Sequence, residues 1–144
     1  MLAQQLKSPE LIELRSDLGG GKTTFVKGLA AGLGSKNIVT SPTFTLNQIY
    51  KAKKGAEIHH YDFYRLDNPG IMADQLAESL QNSKVITVVE WAHIVSDVLP
   101  KDRFSVEFKV VEVNQDERLI IINYPESRIK IMKGLEEAWR EIKP

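Results

Sequence analysis

Apolar positions along the chain change period several times, and each change marks an element. Phe25, Val26, Leu29, Ala30 and Leu33 recur at the three- and four-residue spacing of one helix face. The stripe predicts a helix that ends near Gly34, where a C-cap glycine belongs. Gly28 and Gly32 each weaken that helix by roughly 1 kcal/mol relative to Ala and leave room for a close neighbour. Ahead of it, Leu11-Ile12-Glu13-Leu14 reads as a short strand, and residues 2–6 as a turn or two of helix stopped by Ser8-Pro9. Phe44–Tyr50 and Glu57–Tyr61 flank Lys51-Ala52-Lys53-Lys54-Gly55, which predicts two strands joined as a hairpin. After the breaker Asn68-Pro69-Gly70, Met72, Leu76, Ala77 and Leu80 stripe a helix over Met72–Leu80. Val85–Val89 shows no alternation, as a strand buried on both faces of a central sheet would. Phe104, Val106, Phe108 and Val110 then alternate with Ser105, Glu107 and Lys109, predicting a half-buried antiparallel strand. A turn over Asn114–Glu117 and a return over Arg118–Asn123 should follow. Ser127 is expected to cap a closing helix with Ile131, Leu135, Ala138, Trp139 and Ile142 on one side, Trp139 in the core. The sum is an α/β layered fold whose sheet mixes parallel and antiparallel strands.

Composition narrows the function more than the fold. The 144 residues suit a single domain, by the usual span of about 100–200 residues per domain. Apolar residues make up 42% and charged residues 26%, which excludes a wholly disordered chain. Lysine and arginine balance aspartate and glutamate, so the chain lacks the basic footprint of a self-sufficient nucleic-acid binder. Without cysteine, disulfides, thiolate metal sites and a cysteine nucleophile are excluded. No apolar run approaches the roughly 20 residues that cross a bilayer, and Met1–Lys7 has no signal-peptide core. A soluble intracellular protein is the expectation.

The chemistry concentrates between the first strand and the first long helix. Asp17-Leu18-Gly19-Gly20-Gly21-Lys22-Thr23-Thr24 carries the second half of the phosphate-loop pattern, glycine–lysine–threonine before a helix. Such a loop must turn consecutive N–H groups inward onto phosphate oxygens, a geometry glycine permits. The helix N-terminus adds partial positive charge. Lys22 can reach the outer phosphates, and the Thr23 hydroxyl can ligate a Mg²⁺ that bridges them. Ser16 stands where the pattern has its first glycine.

Three further blocks complete a recognisable set: Ser41-Pro42-Thr43-Phe44-Thr45-Leu46, Tyr61-Asp62-Phe63-Tyr64-Arg65-Leu66 and Val88-Val89-Glu90-Trp91-Ala92. In this order and spacing, with the glycine-rich loop, they resemble the TsaE family over nearly the whole chain. That family comprises small P-loop ATPases of bacterial threonylcarbamoyladenosine synthesis on tRNA. The resemblance implies a single three-layer P-loop NTPase domain over residues 1–144, with a mixed parallel/antiparallel central sheet. It implies that Leu18, Gly19, Gly20, Gly21, Lys22, Thr23 and Thr24 bind the ATP phosphates, with Trp91 beside the nucleotide. Lys22, Thr43, Asp62 and Glu90 would carry catalysis: Thr43 as a switch near the γ-phosphate, Asp62 as an outer contact to metal or water. Thr23 and Glu90 would hold Mg²⁺. The implied partners are TsaD and TsaB in the cytoplasm, with tRNA met through that complex and no membrane involved. Beyond Ser16, the chain departs from the family in its short N-terminal segment and in residues 73–80, which lack a Leu-Gly pair. The first of these bears on adenine recognition and the second on partner contacts or local packing.

Other residues remain open to bland readings. Asp62 also suits a turn that closes a strand, and Glu90 the acidic start of a helix. His59 and His60, adjacent on a strand, must point to opposite faces and cannot share a metal. His93 reads as an ordinary histidine, and Lys51, Lys53 and Lys54 as a solvated hairpin tip. Arg65 is free to pair with Asp62, meet a partner or face solvent. Two other functions use the same loop: a small-molecule kinase, and a nucleotide-binding module without hydrolysis. The kinase lacks support, because the arginines are scattered rather than gathered in a lid.

Overall fold

The computed structural model describes residues 1–142. Strands β1 (Glu10–Arg15), β2 (Asn47–Lys51), β3 (Glu57–Asp62), β4 (Val85–Glu90), β5 (Phe104–Val111) and β6 (Asn114–Asn123) form one sheet in the order β2-β3-β4-β1-β5-β6. β3, β4, β1 and β5 run parallel, and the two edge strands β2 and β6 are antiparallel to their neighbours. The mixed sheet is therefore as expected.

Helices α1 (Leu2–Gln5), α2 (Lys22–Gly32) and α4 (Ile129–Ile142) cover one face, and α3 (Ile71–Gln81) the other. Alternation along the parallel strands assigns residues to two cores. Ile12, Leu14, Ile58, Ile86 and Val88 meet Val26 and Leu29 of α2. Leu11, Tyr61 and Val89 meet Met72 and Leu76 of α3. Every residue of β4 is buried, which accounts for its unalternating sequence. Gly32 gives α1 its approach, since a Cβ there would lie 2.6 Å from that of Ala3. Gly28 faces open space and serves no such contact.

Several sequence expectations are corrected. The second strand starts at Asn47, not Phe44. Residues 43–45 turn, Leu46 takes a left-handed φ of 67°, and Phe44 is 79% exposed. The β5–β6 turn falls on Glu112 and Val113 rather than Asn114–Glu117, because a register shift at Val110/Val111 sets Val111 opposite Asn114. β5 is antiparallel only to β6. Its other neighbour is β1, parallel, so Ser105 is enclosed despite the alternating sequence. Ser127 does not cap α4. Its hydroxyl donates to Asp102 Oδ1 at 2.8 Å, and a 3₁₀ turn over Glu126–Arg128 leads into the helix. Of α4 only Met132 is buried, while Trp139 is 56% exposed, on the rim of an open groove it shares with Leu135, Ile120 and Ile122.

Candidate functional site

The site is built where the parallel strands end. After β1 the chain turns through residues 16–21, and α2 begins at Lys22. Gly19 (φ 75°) and Gly21 (φ 109°) hold left-handed backbone that side-chain-bearing residues rarely adopt. Gly20 meets a different constraint: a Cβ there would collide with the Ser16 side chain. The serine at the first loop position is thus accommodated by the missing side chain at position 20.

Ser16 also holds Lys22. The buried ammonium donates to Ser16 Oγ (2.9 Å), Ser16 O (3.3 Å) and Asp17 O (3.2 Å). It lies 4.0 Å from Glu90 Oε2 and 5.3 Å from the centre of a Trp91 ring. At the ends of β3 and β4, Asp62 and Glu90 sit opposite one another in register, both buried. Asp62 accepts from the Thr43 hydroxyl (2.6 Å) and the Tyr64 backbone N–H (2.9 Å), and the Thr43 and Ser41 hydroxyls are 2.7 Å apart. The 43–45 turn that interrupts the expected strand is what delivers Thr43 to Asp62. Trp91, at φ 55°, lies beside Tyr64 with ring centroids 4.9 Å apart.

Leu18, Gly19, Gly20, Gly21, Lys22, Thr23, Thr24, Thr43, Asp62, Glu90 and Trp91, together with Ser41, line one open cavity of about 210 Å³. It lies outside the carboxyl ends of β1, β3 and β4, the general ligand position of open α/β sheets. Its chemistry suits a polyphosphate. The first N–H groups of α2 lack carbonyl partners within the helix, the ammonium stands beside them, and acids line the far wall. Among the described residues no three His, Asp or Glu side chains cluster as a ready metal cage. A hydroxyl at Thr23 and a single carboxylate fit Mg²⁺ held jointly with phosphate oxygens, the usual arrangement for that ion.

The open residues resolve as follows. Arg65 lies over the Phe44 ring at 3.9 Å rather than against Asp62. His93 is exposed, as are Lys51, Lys53 and Lys54. His59 bonds Ser79 Oγ (2.7 Å) and Glu57 (3.0 Å) on the α3 face. His60 points the other way, fully enclosed, with Nε2 2.7 Å from Glu90 Oε1. Ser41 and His60 were not among the predicted site residues. For His60 the available signal was its position two residues before Asp62, hence on the same face of β3.

A mixed sheet, a glycine-rich loop between β1 and α2, and a lysine–threonine pair at the helix start define a P-loop NTPase. Residues 1–120 match the family described as "Threonylcarbamoyl adenosine biosynthesis protein TsaE". The chain belongs to the TsaE family. It is 34% identical over 126 residues to the tRNA threonylcarbamoyladenosine biosynthesis protein TsaE of Bacillus subtilis, covering 88% of this chain and 77% of that one. Its identity to the protein of the same name from Rickettsia prowazekii is 36% over 116 residues, 80% of this chain and 79% of that one. The crystal structure of Bacillus subtilis YdiB superposes with a TM-score of 0.73 at 31% identity, covering 95% of this chain and 84% of that one. No described helix is long and apolar enough to cross a membrane.

Proposed function

We propose that the chain acts as one domain that binds ATP with Mg²⁺ in the 210 Å³ cavity and hydrolyses it in the cytoplasm. The hydrolysis would serve the complex that forms N6-threonylcarbamoyladenosine at position 37 of tRNA, with TsaD and TsaB as partners. The observation that carries the reading is the convergence of Lys22, Thr23, Asp62 and Glu90 on one cavity at the carboxyl edge of the sheet. The loop amides and Lys22 bind and orient the phosphates. Thr23 and Glu90 would hold the metal, which would neutralise phosphate charge. Asp62, fixed by Thr43 and Tyr64, positions water at the outer phosphate. Trp91, with Tyr64 packed against it, walls one side of the site.

The neutral chain relies on its partners to hold tRNA. Alone it hydrolyses ATP weakly, because phosphoryl transfer needs more charge stabilisation and water exclusion than this open site supplies. A kinase reading gains nothing from the arginines: Arg15 and Arg103 bond Glu13, Arg128 bonds Glu10, Arg65 covers Phe44, and none lines the cavity.

The test is ATP binding and turnover with and without the TsaD–TsaB partners, comparing wild type with Lys22→Ala. The variant should fold and lose about 2–4 kcal/mol in nucleotide binding or turnover. Unaltered ATP binding in the folded variant overturns the phosphate-loop assignment. Binding without any turnover in wild type reduces the protein to a nucleotide-binding module.

A further inference from the structure

His60 is a charge-capable group deep in the fold to which the reading above gives no task. Its side chain has no exposure, and Nε2 lies 2.7 Å from Glu90 Oε1. Its register partner on β4 is Val88, so Glu90 sits on the diagonal, two residues on and on the same face. A long side chain spans that diagonal. Nδ1 is buried without a hydrogen-bond partner, and the Tyr50 ring stands beside the imidazole with centroids 6.3 Å apart. A buried N–H with no acceptor costs more than a bare ring nitrogen. The proton therefore belongs on Nε2, which donates to Glu90, and Nδ1 is the bare atom.

The bond divides the two oxygens of Glu90. Oε1 is held in the sheet interior by His60, and Oε2 alone faces Lys22, at 4.0 Å. That separation is at the outer limit of an ion pair. Were the carboxylate free to swing, it could close on the ammonium, and the two groups that a Mg²⁺–nucleotide needs would cancel each other. We infer that His60 is a positioning residue: it fixes the Glu90 carboxylate so that one oxygen stays presented to the cavity. This deepens the ATPase reading and rests on it, because Glu90 must matter for its orientation to matter.

The experiment compares His60→Leu, His60→Gln and His60→Asn with Glu90→Gln in the full chain. It measures kcat and KM for ATP under conditions in which wild type turns over, and melting temperature without nucleotide. A glutamine amide nitrogen can stand where Nε2 stands, whereas an asparagine falls short of it. The expected result is a kcat lowered about thirtyfold in His60→Leu and His60→Asn with KM within about threefold, and His60→Gln restored to within about fivefold of wild type. If His60→Leu does not fold, the comparison of Gln with Asn carries the test. Long-range ¹⁵N–¹H NMR of wild type, which needs no variant, should find the proton on Nε2. Normal kcat in His60→Leu, Gln no better than Asn at equal melting temperature, or a proton on Nδ1 overturns the inference. A slow Glu90→Gln beside a normal His60→Leu overturns the His60 role alone. Normal turnover in both overturns the Glu90 assignment, and this inference with it.

Discussion

Glu13 and Glu90 lie on adjacent strands, are buried to similar depth and point to opposite faces of the sheet. Their partners differ. Glu13 Oε1 accepts from Arg15 Nε and Oε2 from Arg103 Nε, each at 2.8 Å, so both oxygens are spent. Burial pushes the Glu13 carboxyl up most strongly of any single cause, but the hydrogen bonds and charges of Arg15 and Arg103 together outweigh it and hold the group below its ordinary value. Glu90 has one oxygen bound, to His60, and the other only near Lys22. A buried acid with both oxygens held by permanent donors belongs to the architecture. One left half-answered beside a cavity has capacity for a ligand. Sequence position does not separate the two cases, because both acids sit in or at the end of apolar strands.

Exchanging the two charges for amides breaks the comparison most directly. Glu90→Gln should lower partner-stimulated hydrolysis by about a hundredfold, a barrier increase of roughly 2.7 kcal/mol, and leave ATP affinity within about tenfold. Glu13→Gln should do the reverse: a loss of about 1–3 kcal/mol in chemical denaturation and unchanged turnover. Equal effects on turnover would dissolve the distinction. Glu13 also carries a pH dependence. A carboxyl whose pKa is depressed by folding stabilises above its unfolded pKa, and that stability is lost as pH falls through the folded value. Stability curves for wild type and Glu13→Gln should therefore approach one another below about pH 4, which urea titrations across pH would show.

A smaller effect sharpens the site side. Ser16→Gly removes the Oγ contact that holds Lys22 back, leaving only the loop carbonyls. ATP affinity should hold or rise by up to about 1.5 kcal/mol in calorimetric titration. A loss of that size would make the hydroxyl a nucleotide contact. The smallest effect lies outside both acids' surroundings: Trp139→Ala, at the exposed end of α4, should change stability by no more than about 0.5 kcal/mol in thermal unfolding.

What was legible in the chain follows from the same physics. β4 announced its burial because a strand enclosed on both faces takes apolar residues on both, and every position before Glu90 but Thr87 is apolar. The loop announced itself through residue types that few other structures require. Trp139 misled because a helical stripe shows which face is apolar, not how far the covering core extends. Phe44 misled because the run it begins is interrupted by the left-handed Leu46, a backbone event without a signature in residue type. His60 was hidden by its neighbour: two adjacent histidines read alike until the register with β4 shows which one meets Glu90.

The contact between Ser16 and position 20 has an evolutionary consequence. Gly20 carries no left-handed φ, so its backbone would tolerate a side chain; the Ser16 side chain is the closest obstruction, and Asp17 O follows at 3.1 Å. The two loop positions therefore constrain the order in which substitutions can accumulate. A lineage that keeps Ser16 has no viable step away from glycine at 20. Glycine at 16 removes the nearest obstruction and leaves only the Asp17 carbonyl, at 3.1 Å, to yield; a side chain gained at 20 would then bar serine from 16. The loop behaves as a ratchet between two sequences, each holding its bare position at a different place in the same turn.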